Sequence, residues 1–175
     1  LGAQVVGVEK DAGASAFLQE EGYEVLPAID SNRAYDVVCA FQVLEHLVDP
    51  DTTVGEISKV MKPDGRFLIS VPNGGEAARV GATWLGFRVD LEHINYFTLD
   101  TMNRLLNSHS LYIENYWEHS QPAIARETND AFSTSKLALR CKAFAHSIVS
   151  SPHPGDFSDQ GAFVLTIIAR KVATE

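Results

Sequence analysis

Glu45 and His46 lie within the apolar run FQVLEHLVDP, Phe41 to Pro50, between a strand-like YDVVCA and the start of a helix. A purely structural connection at that place calls for turn residues, whereas this one holds an ionisable pair between hydrophobic anchors. An imidazole changes charge near neutral pH and a carboxylate can give or take a proton. The pair therefore either handles a substrate or fastens the turn and the following helix by hydrogen bonds. Glu9 poses a similar choice, because a carboxylate directly after a strand of a parallel sheet can accept hydrogen bonds from both hydroxyls of a ribose. The alternative for Glu9 is a solvated loop charge. His109, His119, His146 and His153 show no ligand spacing, and Cys39 and Cys141 form no CxxC pair, so no metal is expected.

These residues need elements to hold them. The chain opens on LGAQVVGVEKD, which has no initiator Met and runs at once into a strand over Gln4–Glu9. Ala14, Phe17, Leu18 and Glu21 then recur at helical spacing, with Gly22 where a helix end wants a left-handed residue. A short strand in YEVLPAID and a second in RAYDVVCAFQ follow. The unalternating Val37, Val38, Cys39 and Ala40 read as a strand buried on both faces. Asp49 offers an N-cap with Pro50 in the first turn, and Val54, Ile57, Val60 and Met61 mark the inward face of the helix. KPDG reads as the exit turn and Arg66–Val71 as another buried strand. Strand, helix, strand, strand, helix, strand implies a parallel sheet wound by right-handed crossovers.

Past Asn73 the rhythm breaks, and 74–97 reads as a long irregular excursion of the kind that is usually functional. Thr98 is a plausible cap for a helix with Met102, Leu105 and Leu106 inward, and LYIENYWEH is an alternating strand. Residues 120–159 are polar, with one helix expected around Lys136–Val149, and AFVLTIIARK closes the chain as an apolar strand. Two terminal strands without a crossover helix suit an antiparallel pair at the sheet edge. Ligands of an open parallel sheet collect at the carboxyl ends of its strands. Here those ends carry Glu9, Ile29 with Asp30, Phe41 with Gln42, and Pro72 with Asn73.

The 175 residues, 45% hydrophobic, suit a single domain, 1–175. A formal charge of -9 disfavours a nucleic-acid backbone or an anionic membrane as partner. Two distant cysteines supply no disulfide framework, which points to a reducing, cytoplasmic setting. No apolar stretch approaches the ~18 residues of a membrane span.

Taken in order, VVGVEKD, YDVVCAFQVLEHLVDP, EISKVMKPDGRFLISVPN and EHINYFTLDTMNRLLNSHSL resemble the class I S-adenosylmethionine-dependent methyltransferases, in particular the broad small-molecule group of types 11 and 23. The resemblance covers about Gly2 to Glu114. It implies an α/β, Rossmann-like doubly wound fold, mostly parallel, with a C-terminal antiparallel edge strand and S-adenosylmethionine bound across the strand ends. It also implies roles: Glu9 on the cofactor ribose, Asp30 on the adenine, and Phe41 and Gln42 lining the methionine portion. His93 becomes a candidate base for a small-molecule acceptor, with His46 beside the cofactor, and Trp84, Phe87 and Tyr96 as pocket walls. For each the alternative is structural: a loop-fixing His93, aromatics as core plugs.

One departure stands out. Relatives carry an acidic, glycine-rich DxGxGxG turn after their first strand, and no such segment occurs here. The resemblance thus implies a fold lacking its first strand and glycine loop, a βα unit of roughly 30 residues or more. A non-catalytic, methyltransferase-like binding module and a nicotinamide-dependent dehydrogenase remain the alternatives to an enzyme transferring methyl to an O, N or C nucleophile.

Overall fold

The computed structural model describes residues 2–84, 93–119 and 163–172. Phe87 and the helix expected around Lys136–Val149 lie outside them. The first unit is a βαβ: β1 (Val6–Val8) and β2 (Glu24–Leu26) pair in parallel, joined by α1 (Ala12–Glu20). Asp11 caps α1 by accepting the Ala14 N–H at 2.7 Å, and Gly22 turns the chain out with φ +87°, a conformation that costs a side chain dearly.

A second unit repeats the pattern. β3 (Tyr35–Phe41) and β4 (Met61–Pro72) run parallel around α2 (Pro50–Val60). Asp49 takes the Thr52 N–H at 3.0 Å and its hydroxyl at 2.6 Å, and Pro50 fills the first turn, where its missing N–H costs nothing. Val54, Ile57 and Val60 are buried on the inner face. KPDG is not a separate exit turn. It is an irregularity inside β4, since Tyr35 lies opposite Met61 but Val37 opposite Arg66. The extra residues are absorbed by Asp64 at φ +62° and by Gly65, where a Cβ would stand 2.9 Å from the Lys62 carbonyl oxygen.

The expected irregular excursion is in part regular: α3 (Gly74–Val80) starts directly after β4. Its signal was masked by two glycines, but Asn73 caps it by accepting the Gly75 N–H at 3.1 Å. Gly74 is required by close approach, because a Cβ there would meet the Phe97 carbonyl oxygen at 3.0 Å. α4 (Leu99–Asn107) carries the anticipated cap, with Thr98 and Thr101 each bonding the other's backbone, and buries Met102 and Leu106. β5 (Leu111–His119) and β6 (Val164–Lys171) complete a four-stranded sheet of order β3-β4-β6-β5. The antiparallel pair closes the sheet as expected, but the final strand is internal and β5 forms the edge. Being central explains the apolarity of β6: Val164, Leu165, Ile167 and Ala169 are all buried.

Phe67, Ile69 and Val71 of β4, fully buried between Leu44, Val54, Met102 and Leu106, form the main core. Each such side chain contributes about 1.5–3 kcal/mol by leaving water. The expectation that β3 is buried on both faces is corrected. Among the described residues β3 pairs with β4 alone, and Val37 is 51% exposed with Cys39 also exposed. β1 and β2 form their own two-stranded sheet, leaving Val5 and Val8 exposed as well. Among the described residues no helix is long and apolar enough to cross a membrane.

Candidate functional site

The carboxyl ends of β1 and β3 carry the expected residues, in different states. Glu9 follows β1; its N–H donates to the Leu26 carbonyl at 3.0 Å and its Oε1 accepts the Asp11 N–H at 2.8 Å. The carboxylate is thus held in place by the turn that starts α1, and an ionised carboxylate has lone pairs for further donors. Asp30 is differently employed. Oδ1 accepts both the backbone and side-chain N–H of Asn32 at 3.0 Å, and Oδ2 accepts from Arg33 at 3.2 Å. The bonds from Asn32, followed by the Arg33 charge, hold its carboxyl below the usual range. Asp30 fixes the turn between β2 and β3.

At the end of β3 the chain reverses through Gln42, at φ +55°, a left-handed conformation that is uncommon for a residue with a side chain. Two bonds to β4 hold it there: Gln42 N–H to the Ser70 carbonyl at 2.8 Å, and Gln42 Nε2 to the Ser70 hydroxyl at 3.2 Å. Backbone strain of this kind tends to gather at functional sites. Phe41, half-buried, precedes it.

Beyond the turn, a short 3-10 helix over Leu44–His46 presents the ionisable pair. Leu44 is buried, as an anchor should be, and Leu47 packs against the core. Glu45 is also fully buried, and neither of its carboxylate oxygens has a hydrogen-bond partner among the described residues. Burial pushes its carboxyl up, opposed in part by the nearness of its own backbone N–H and of His46. His46 is half-exposed, its Nε2 3.9 Å from Glu45 Oε1.

The returning segment of the excursion docks on this turn. Ile94 and Asn95 donate their N–H groups to the Glu45 carbonyl at 2.9 and 3.1 Å, and Asn95 Nδ2 donates to the Leu47 carbonyl at 2.6 Å. His93 is thereby brought edge-on to His46, ring centroids 4.8 Å apart. One ligand atom from each of Glu45, His46 and His93 falls within 4.8 Å of the others. The expectation of no metal rested on spacing along the chain, which does not register this three-donor corner; the only hint was an EH pair at each end, Glu45–His46 and Glu92–His93.

The aromatic residues divide. Trp84 is fully buried against Phe163 and Val164, in a second cluster with Ala77 and Val80, and so plugs a core. Tyr96 is 42% exposed and bridges that core to the histidines, 5.7 Å from the Trp84 ring and 6.4 Å from that of His93. Asn73, not anticipated beyond its place at a strand end, is fully buried and ties the region together. Its N–H donates to the Phe163 carbonyl at 2.7 Å and its Nδ2 to Glu118 at 3.2 Å.

Two parallel βαβ units, an antiparallel closing pair and a strained turn at the end of β3 define an α/β domain of the kind that binds nucleotide-like ligands at its strand ends. Solved structures share it. A methyltransferase from Methanosarcina mazei matches 97% of this chain and 82% of its own, with TM-score 0.60 and 13% identity. The cyclase SpnF matches 98% and 68%, with TM-score 0.58 and 18% identity. At those identities the likeness concerns the fold.

The family follows from sequence: a family model described as "Methyltransferase domain" matches residues 1–115, and the chain belongs to that family. Ubiquinone biosynthesis O-methyltransferase of Bradyrhizobium is 32% identical over 83 residues, 42% of this chain and 33% of that protein. A probable S-adenosylmethionine-dependent methyltransferase of Mycolicibacterium smegmatis is 48% identical over 48 residues, 27% of this chain and 18% of that protein. The match thus spans about a third or less of these curated relatives.

Proposed function

We propose that this domain serves an S-adenosylmethionine-dependent methyltransferase acting on the hydroxyl oxygen of a small molecule. The observation that carries the reading is the family match over 1–115 together with the placement of Glu9 and the Phe41–Gln42 turn at the carboxyl ends of parallel strands. The choice of oxygen is supported by the relatives named as O-methyltransferases and by the two imidazoles beside the turn. Family membership gives no support to a nicotinamide-dependent dehydrogenase. The fold alone does not specify the reaction, as the cyclase shows.

S-adenosylmethionine supplies an electrophilic methyl group on a sulfonium. Glu9, with Oε1 already oriented by Asp11, accepts the ribose hydroxyls. Phe41 and the bonded Gln42 wall the neighbouring space, and the fixed geometry of that turn removes the entropy cost of arranging it at each turnover. His93, with His46 edge-on to it, receives the acceptor's hydroxyl proton, imidazole being the commonest general base. Tyr96, partly exposed beside His93, forms a side of the acceptor pocket. The formal net charge of -9 argues against nucleic acid and anionic membranes as partners.

Residues 1–175 are proposed to form one domain.

The full-length gene product should bind S-adenosylmethionine and not NADH in calorimetry, and should place a labelled methyl on oxygen in a panel of phenols, amines and carbon acids. Failure to bind the cofactor overturns the reading; label on nitrogen or carbon overturns the choice of oxygen.

A further inference from the structure

On the methyl-transfer reading, on which this rests, we propose that Ser70 is a positioning residue for the cofactor turn. Its buried hydroxyl holds the Gln42 side chain, and so keeps the left-handed Gln42 backbone that walls the methionine portion of S-adenosylmethionine. Ser70 sits near the carboxyl end of β4 and is fully buried, with the buried Thr166 opposite it on β6. Its neighbours in β4, Ile69 and Val71, are apolar side chains of the main core, and alternation along a strand turns Ser70 to the other face. A hydroxyl buried at such a place costs free energy unless it is hydrogen-bonded. The Gln42 side-chain amide, 28 residues earlier, meets it at 3.2 Å.

The turn accounts for both residue types. Gln42 has φ +55°, a region where glycine is at ease and a residue with a Cβ is not. Glutamine there gives up backbone ease and gains a side chain long enough to reach across to β4. The Gln42 N–H also bonds the Ser70 carbonyl at 2.8 Å, so its backbone and side chain are tied to one residue of the neighbouring strand. Phe41, paired with Ser70 in the β3–β4 register, shares that anchor. The disadvantage of a left-handed residue and the net gain from one neutral hydrogen bond are of similar size, so the hydroxyl decides how firmly the turn keeps its shape. A wall already held in its bound shape spares the ordering cost when the cofactor enters.

The test uses the full-length protein in calorimetric titrations with S-adenosylmethionine and with 5′-methylthioadenosine, which keeps the adenosine and lacks the amino-acid portion. Ser70→Ala removes the hydroxyl and leaves the carbonyl that bonds the Gln42 N–H. It should weaken S-adenosylmethionine binding about three- to tenfold and leave 5′-methylthioadenosine binding unchanged. Gln42→Met should show the same selective loss, and the double variant should lose no more than the weaker-binding single one, as two ends of one bond require. Gln42→Met carries the test if Ser70→Ala fails to fold, because Gln42 is only half-buried. Equal losses for both ligands would reduce Ser70 to a structural residue; unchanged affinity, or losses that add in the double variant, would likewise overturn the positioning role. A wild type that does not bind S-adenosylmethionine refutes the methyl-transfer reading and the role with it, whereas a binding wild type matched by Ser70→Ala refutes the role alone.

Discussion

Replacing Glu45 by Met should make the metal-free protein more stable. The carboxylic group is fully buried without a hydrogen bond among the described residues, and leaving a buried polar group unsatisfied costs about 1–3 kcal/mol. Met is of similar length and flexible enough to fill the same space between Leu44 and the core. Removing the polar group while conserving volume should return roughly 2 kcal/mol, which for a chain of this size raises Tm by about 4–8 °C. Thermal unfolding of the protein in the presence of chelator, wild type against Glu45→Met, measures it. A Glu45→Met protein that melts no higher than the wild type would refute the argument, since it would mean that Glu45 already has a stabilising partner.

Glu9→Ala should weaken S-adenosylmethionine binding by about 1.5–3 kcal/mol, roughly ten- to hundredfold, with Tm little changed; unchanged affinity in calorimetry sinks the ribose role. Asn95→Ala removes the 2.6 Å bond to Leu47 while the Ile94 and Asn95 N–H bonds to the Glu45 carbonyl remain, so it should cost about 1–3 kcal/mol in denaturant unfolding; unchanged stability would refute a fastening role for this side chain. Glu24, Asp36 and Glu114 are held below the usual carboxylate range chiefly by hydrogen bonds from Arg33, Lys62 and Arg66. Their folded-state values lie below the unfolded ones, so their contribution is present above about pH 4–4.5 and is lost as pH falls through the folded values. Lys62→Met and Arg66→Met should therefore slightly flatten the acid limb of a stability–pH curve and leave neutral pH nearly untouched, as expected of exposed pairs.

What the sequence determined by itself was what forms within a few residues. Asp49 and Thr98 cap their helices with partners three residues away, and Gly22 ends α1 because its own φ is positive; such bonds depend on local spacing and are legible in it. The apolar periodicity of α2 and α4, the two parallel βαβ units and the apolar strand β6 were equally readable, as were Glu9 and the Phe41–Gln42 turn at strand ends. Tertiary structure decided what depends on neighbours distant along the chain. Val37 and Cys39 have the composition of a doubly buried strand, yet burial is set by what lies across the sheet, and among the described residues only β4 pairs with β3. KPDG has the composition of a turn, but pairing with β3 draws it into β4. Trp84 could have walled a pocket or plugged a core, and contact with Phe163 from the far end of the chain made it a plug. The corner of Glu45, His46 and His93 forms because Ile94 and Asn95 bond the Glu45 carbonyl and Asn95 also bonds the Leu47 carbonyl, a closure that no local spacing encodes. Those contacts bring His93 beside an ionisable pair that the apolar run alone leaves unexplained.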